Sequence, residues 1–194
     1  MPRFRLPGGL QMRPLEESDA DELYALIEAN RSRLARWMVW AQDQTLDGTR
    51  EFIRATRRQL ATGDGFQAAI VGERGIVGVA GLHAVDRHNR ATSLGYWLAE
   101  GQEGVGTMTH AVRALVDHAF GQMGLNRIEI RADVENVRSR ALAERLGFSY
   151  EGRLRQALRL SDGFHDDALY ALLAADWPEL AGAQDRGRRS GERV

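Results

Sequence analysis

The chain has 194 residues, 43% apolar and 27% charged, with 21 glycines, 4 prolines and a formal net charge of −1. It has no cysteine, and all 26 of its basic residues are arginine. These facts exclude disulfides, thiolate nucleophiles, cysteine-based metal centres, Schiff-base chemistry and a P-loop lysine, and they leave no whole-molecule field for nucleic acid or an anionic membrane.

The N-terminal run Met1-Pro2-Arg3-Phe4-Arg5 lacks the apolar region of a signal peptide. No stretch approaches the roughly 18 apolar residues of a membrane span, so the cytoplasm is the expected compartment. Residues 10–14 alternate apolar and polar and predict a short strand. Ser18 followed by Asp19, Asp21 and Glu22 predicts a helix start, with Leu23, Leu26 and Ile27 as its apolar face. A second short helix is expected to hold Leu34, Trp37 and Met38. Thr45 or Asp47 caps a third, which carries Phe52, Ile53, Thr56 and Leu60 and stops at Gly63.

The period then changes to two. Residues 66–72, 76–83 and 92–98 read as an antiparallel meander, with a turn at Glu73-Arg74-Gly75. Met108, Ala111, Val112, Leu115, Val116, Ala119, Phe120 and Met123 recur at steps of three and four and predict the clearest helix. A strand is expected at 127–132. A helix follows over about 137–146, capped by Asn136 and closed by Gly147. Two final strands are expected at 148–156 and 165–174. The strand–helix–strand–helix–strand order from 92 to 156 predicts parallel pairing there. The class is α/β, or α+β, around a mixed sheet. Residues 1–178 are expected to form one domain. Residues 179–194, polar and glycine-rich with four arginines and three acids, read as a disordered tail.

Residues 101–106 join a strand to a helix through glycines. Such a loop brings backbone close to a ligand and aims free helix-start amides at an anion. Gly104, Val105, Gly106, Thr107 and Met108 supply the candidate amides. A tight strand-to-helix turn would give the same pattern. A dinucleotide fingerprint does not fit, because the third glycine is replaced by Thr109.

A run of motifs surrounds this loop: Gly95-Tyr96-Trp97-Leu98, Met108-Thr109-His110-Ala111, Gly124-Leu125-Asn126-Arg127-Ile128, and Asn136-Val137-Arg138-Ser139 through Gly147-Phe148. The run resembles the Gcn5-related N-acetyltransferase (GNAT) superfamily, in its RimJ/RimL-type branch. The likeness extends over about residues 10–176 and is specific from 94 to 155. His165-Asp166-Asp167-Ala168-Leu169-Tyr170 and Arg33-Leu34-Ala35-Arg36-Trp37-Met38-Val39-Trp40 are also similar to branch segments.

The resemblance implies a mixed, mostly antiparallel sheet flanked by helices, with two splayed parallel strands near 92–98 and 127–132. It implies acetyl transfer from acetyl-CoA to an amine, without a metal. The pantetheine arm would bond strand backbone near Trp97 and Leu98. The pyrophosphate would sit on the amides of 104–108, with Thr109 beside them. Asn136 would hold the arm or a water, and Ser139 would protonate the departing thiolate. Helix capping alone is the alternative for Asn136 and Ser139, and the two readings are compatible, since a cap residue can also face a ligand. The branch also implies an α-amine acceptor, such as a ribosomal-protein N-terminus, and is compatible with a homodimer.

Two departures stand out. Aligned on Gly106, the family loop opens with Gln or Arg, and here it opens with Glu103; Val105 replaces a frequent Lys or Gln. A carboxylate beside a pyrophosphate costs binding unless it points away. The acids that relatives carry before Gly-Tyr-Trp and near Leu158 are absent, which leaves His83, Asp133, Glu135 and Glu151 as candidate bases. His83 fits best, with an ordinary pKa of about 6.5. Trp37, Trp40, Tyr96 and His83 are the candidate acceptor-site residues, and for the tryptophans core packing is the alternative. The rival functions are acetylation of a small amine and a non-catalytic CoA-binding module.

Overall fold

The computed structural model describes residues 3–177. The tail expected at 179–194 lies outside the described residues. The strands are β1 (Phe4–Arg5), β2 (Gln11–Pro14), β3 (Phe66–Gly72), β4 (Gly75–Asp86), β5 (Ala91–Leu98), β6 (Arg127–Asp133), β7 (Ser149–Leu160) and β8 (Gly163–Leu173). The α-helices are α1 (Ala20–Ala35), α2 (Leu46–Thr62), α3 (Thr107–Asp117) and α4 (Val137–Arg145). All eight strands form one sheet in the order β1-β2-β3-β4-β5-β6-β8-β7.

Local chemistry explains the element ends. Glu16 and Asp19 cap the turn that enters α1, and Arg13 grips Asp19 with two hydrogen bonds of 2.7 Å. Thr45 caps α2 by accepting from the Gly48 amide at 3.0 Å. The same helix closes on Gly63 at φ +76°, a conformation glycine adopts without a Cβ penalty. The expected short helix at Leu34, Trp37 and Met38 does not form. Leu34 lies in the last turn of α1, Trp37 and Met38 follow it outside any helix, and a single 3₁₀ turn spans Val39–Ala41.

Each face of the sheet carries its own core. Leu15, Leu23, Ile27, Ile53, Ala69 and Val79 pack on the α1/α2 side. Leu82, Leu115, Ile128, Ile130, Leu142 and Tyr170 pack on the α3/α4 side. A fully buried aliphatic side chain contributes about 1.5–3 kcal/mol, so Leu115, wholly buried on α3, is a principal anchor of that helix. After Asp117 the helix widens into one π turn, His118–Gln122, which carries Ala119 and Phe120 of the expected helix and is followed by Met123.

The meander of β3, β4 and β5 forms as expected. Parallel pairing occurs once, between β5 and β6. The last two strands depart from the expectation. β7 does not join β6, because β8 inserts between them, antiparallel to both. Spacing predicts parallel direction, but a later strand is free to fill the slot.

Candidate active site

The parallel pair is short. Ala91, Thr92 and Ser93 oppose Arg127, Ile128 and Glu129, and pairing stops there. From Leu94 and Ile130 onward the strands run to their ends without pairing, leaving a gap between β5 and β6. The Ala99 amide donates to the Val77 carbonyl at 2.8 Å on β4. Antiparallel bonding alternates along a strand, so Trp97 also turns its backbone to β4. Tyr96 and Leu98 therefore turn their N–H and C=O groups into the gap. Of the two residues expected to offer backbone to a pantetheine arm, Leu98 faces the gap and Trp97 does not.

At the open end of the gap the chain enters the 101–106 loop. Gly104 and Gly106 sit at φ +81° and +84°, where a side chain would be strained. Gly106 is the N-cap of α3, and no side chain caps this helix. The first-turn amides of Thr107, Met108 and Thr109 are thus left for an anion. Thr107 and Met108 are buried, Val105 is exposed, and the Thr109 hydroxyl accepts from Arg145 at 3.3 Å.

Glu103 does not stand unpaired beside this loop. Its carboxylate lies between Arg33 of α1, at 2.6 Å, and Arg138 of α4. Arg33 also donates to the Leu98 carbonyl. Neither contact has a sequence signal, because 70 residues separate Arg33 from Glu103 and 35 separate Glu103 from Arg138.

Asn136 caps α4, its side-chain oxygen accepting from the Ser139 amide at 3.2 Å. The Ser139 hydroxyl lies 2.9 Å from that of Tyr96. Burial pushes the Tyr96 phenol up to about 12, and the bond to Ser139 pulls it part of the way back. Tyr96, expected among the acceptor residues, instead packs on the α3/α4 face beside Ser139.

The opposite face holds His83, Trp97 and Trp40. Trp40 and Trp97 approach with centroids 6.4 Å apart, and Trp40 is 40% exposed. Trp37 is not part of this pair; the Arg36 guanidinium covers its ring at 4.7 Å. The His83 ring lies over Gly95, where a Cβ would come within 2.6 Å of Nε2, and the Gln67 amide sits 3.2 Å from Nδ1. Burial lowers the His83 pKa and keeps the ring neutral. The other candidate bases are engaged or exposed. Glu151 is held by Arg127 at 2.5 and 2.8 Å, which lowers its pKa. Asp133 accepts from the Glu135 amide and sits 2.7 Å from His165. Glu135 is exposed.

Three supporting residues have no assigned role in the sequence reading. Arg31 donates to the carbonyls of Ala41, Gln42 and Gln44 at 2.6–2.7 Å and so fixes the segment that presents Trp40. Asn30, buried in α1, accepts from the Glu100 amide at 2.7 Å and ties that helix to the loop after β5. His165 bridges Asp133 and Asp162. An Asn next to an Arg on a helical segment was the available signal for Asn30 and Arg31. A cavity of about 460 Å³ lined by Leu60, Phe66, Arg87 and His118 lies at the other end of the sheet, and none of the expected site residues lines it.

Among the described residues no helix is long and apolar enough to cross a membrane. The family described as acetyltransferase (GNAT) domain matches residues 10–149. YdaF of Bacillus subtilis (strain 168), which carries a ribosomal N-acetyltransferase name, is 39% identical over 170 residues, 87% of this chain and 93% of its own. The ribosomal-protein-serine acetyltransferase of Escherichia coli (strain K12) is 32% identical, over 87% of this chain and 94% of its own. Among solved structures, the RimL ribosomal alpha-N-protein acetyltransferase in complex with coenzyme A superposes with a TM-score of 0.85 at 28% identity, over 89% of this chain and 98% of that one.

Proposed function

The chain belongs to the GNAT acetyltransferase family, and on that footing we propose that it acetylates the α-amine of a protein N-terminus, a ribosomal protein being the favoured acceptor. The observation that carries this reading is the gap between β5 and β6. Its β5 edge offers the backbone of Tyr96 and Leu98, and its mouth opens on the uncapped start of α3. An extended amide-bearing arm suits the strand edge, and a diphosphate suits the helix start. The residues present therefore fit acetyl-CoA, which supplies an activated acyl carbon as a thioester.

The amine attacks that carbon directly, so no covalent enzyme intermediate is needed and the absence of cysteine costs nothing. The Leu98 N–H faces the gap and stabilises the negative charge that develops on the carbonyl oxygen. Ser139 donates its hydroxyl proton to the departing sulfur as the carbon–sulfur bond breaks and regains one from solvent, while Tyr96 hydrogen-bonds the Ser139 oxygen and orients it. The neutral His83 ring takes the proton lost by the amine, directly or through water. An α-amine has a pKa of about 7.7–8.0, against about 10.4 for a lysine side chain. Much of it is already neutral at physiological pH, and a weak base then suffices. The exposed Trp40, beside Trp97, favours an open groove for a peptide over a closed pocket for a small amine. The names carried by the relatives point the same way.

The deciding experiment has two arms. Calorimetry tests acetyl-CoA binding, and no detectable affinity sinks the proposal. Mass spectrometry of a cell extract incubated with labelled acetyl-CoA identifies the acceptor. Label on protein N-termini supports the reading, and label confined to small amines overturns it.

A further inference from the structure

Glu103 precedes Gly106, the N-cap of α3, by three residues, yet it is itself an anion. It is tied on both sides. Arg33 reaches it from α1, at 2.6 Å, and Arg138 reaches it from the first turn of α4. The same Arg33 guanidinium holds the Leu98 carbonyl, which points into the gap. The chain Leu98–Arg33–Glu103–Arg138 thus runs from the β5 wall to the α4 wall, across the mouth.

We propose that this bridge is a latch, in which Glu103 occupies two arginines that the cosubstrate's phosphates take over on binding. The inference rests on the acetyl-CoA reading of the site. Three observations support it. Arg138 is 81% exposed along its side chain and pairs with Glu103 from the helix surface, so it is free to swing. Arg33 Nε is buried without a hydrogen-bond partner, alone among the side-chain nitrogen and oxygen atoms of the described residues. An unmet buried donor is costly, and a phosphate oxygen has acceptor capacity to spare. Finally, a bidentate guanidinium suits phosphate as well as carboxylate, so the partner exchange requires no new chemistry.

In the closed state Arg33 blocks the backbone carbonyl at the end of the β5 edge. In the open state Arg33 and Arg138 face the diphosphate, and Glu103 turns outward to solvent. The cosubstrate must therefore displace a resident carboxylate. This weakens CoA binding and speeds its release as product.

The test is calorimetry of CoA binding to the full chain and to Glu103→Gln, with Arg138→Gln as a second variant. Glu103→Gln should bind CoA about tenfold more tightly, since it removes both the competitor and a like charge near the phosphates. Arg138→Gln should bind about tenfold more weakly. Equal or weaker binding by Glu103→Gln, with the parent chain binding normally, overturns the latch and leaves the acetyltransferase proposal standing. Tighter binding by Arg138→Gln likewise overturns the exchange. No binding by any of the three chains overturns the acetyl-CoA reading and the latch together. A crystal structure of the CoA complex gives an independent readout. Arg33 and Arg138 should contact phosphate oxygens, and a complex in which both still hold Glu103 overturns the proposal even if the affinities change.

Discussion

The hydroxyls of Tyr96 and Ser139 meet at 2.9 Å on the α3/α4 face, beside the gap that follows the one parallel strand pair among the described residues. One comes from β5 and the other from the first turn of α4, so the contact ties the β5 strand to the helix after β6. Tyr96→Phe removes the partner that orients Ser139. Turnover should fall about fivefold, the worth of one neutral hydrogen bond, with acetyl-CoA affinity unchanged. Steady-state kinetics on Tyr96→Phe, Ser139→Ala and the double variant check this. An added loss in the double variant would show that the two hydroxyls act separately.

Ser139→Ala leaves the α4 cap intact, because Asn136 bonds the backbone amide of residue 139 and not its hydroxyl. The helix should therefore persist and the melting temperature should hold. Turnover should fall about 100-fold with little change in acetyl-CoA affinity. Unchanged turnover would remove Ser139 from the mechanism.

His83 is kept neutral by burial, its pKa lying below the ordinary histidine value. As a base it is active when unprotonated. The rate should rise with pH through an inflection below about 6.5, then respond only to the acceptor's own amine near about 7.7–8.0. In His83→Gln the acid-side inflection should vanish while the amine's inflection remains. A profile of kcat/KM against pH decides it, and survival of the lower inflection in the variant assigns that proton elsewhere.

His165 gives a stability signature instead. Burial alone would lower its pKa, but hydrogen bonds to Asp133 and then Asp162 outweigh that and raise it above the ordinary value. Its protonated form is therefore favoured by folding. The contribution is fully present below about 6.5 and is lost as pH rises through the raised value. His165→Gln should lower the melting temperature at about pH 5.5 and do so much less in alkaline buffer. An equal deficit at both pH values would mean that packing, not the charge pairing, is responsible.

Much of this was readable in the sequence, for reasons that can be stated. Thr45, Gly63, Asn136 and Gly106 mark element ends because caps and left-handed turns depend on local residue chemistry. The apolar steps of α3 and the alternation of β6 report their buried faces directly. The parallel step at β5 and β6 follows from the helix between them. What escaped detection is non-local. The bridge from Arg33 to Glu103 spans 70 residues, so Glu103 looked like an unfavourable substitution in isolation. Tyr96 alternates with Trp97, but the face it takes depends on where α4 docks. The placement of β8 between β6 and β7 depends on which sheet edge the last hairpin meets, and no local pattern encodes that.

That placement has a consequence for how the molecule is made. The strand at Gly163–Leu173 is the last described strand to be synthesised, yet it lies inside the sheet. Until it emerges, β6 lacks a neighbour on one edge and β7 has no partner. The nascent chain can assemble its first five strands progressively. The far wall of the gap is consolidated only when the final hairpin arrives, in one late step with high sequence separation. A translational pause or premature stop shortly before Gly163 would therefore leave an exposed β6 edge, prone to pairing with another chain.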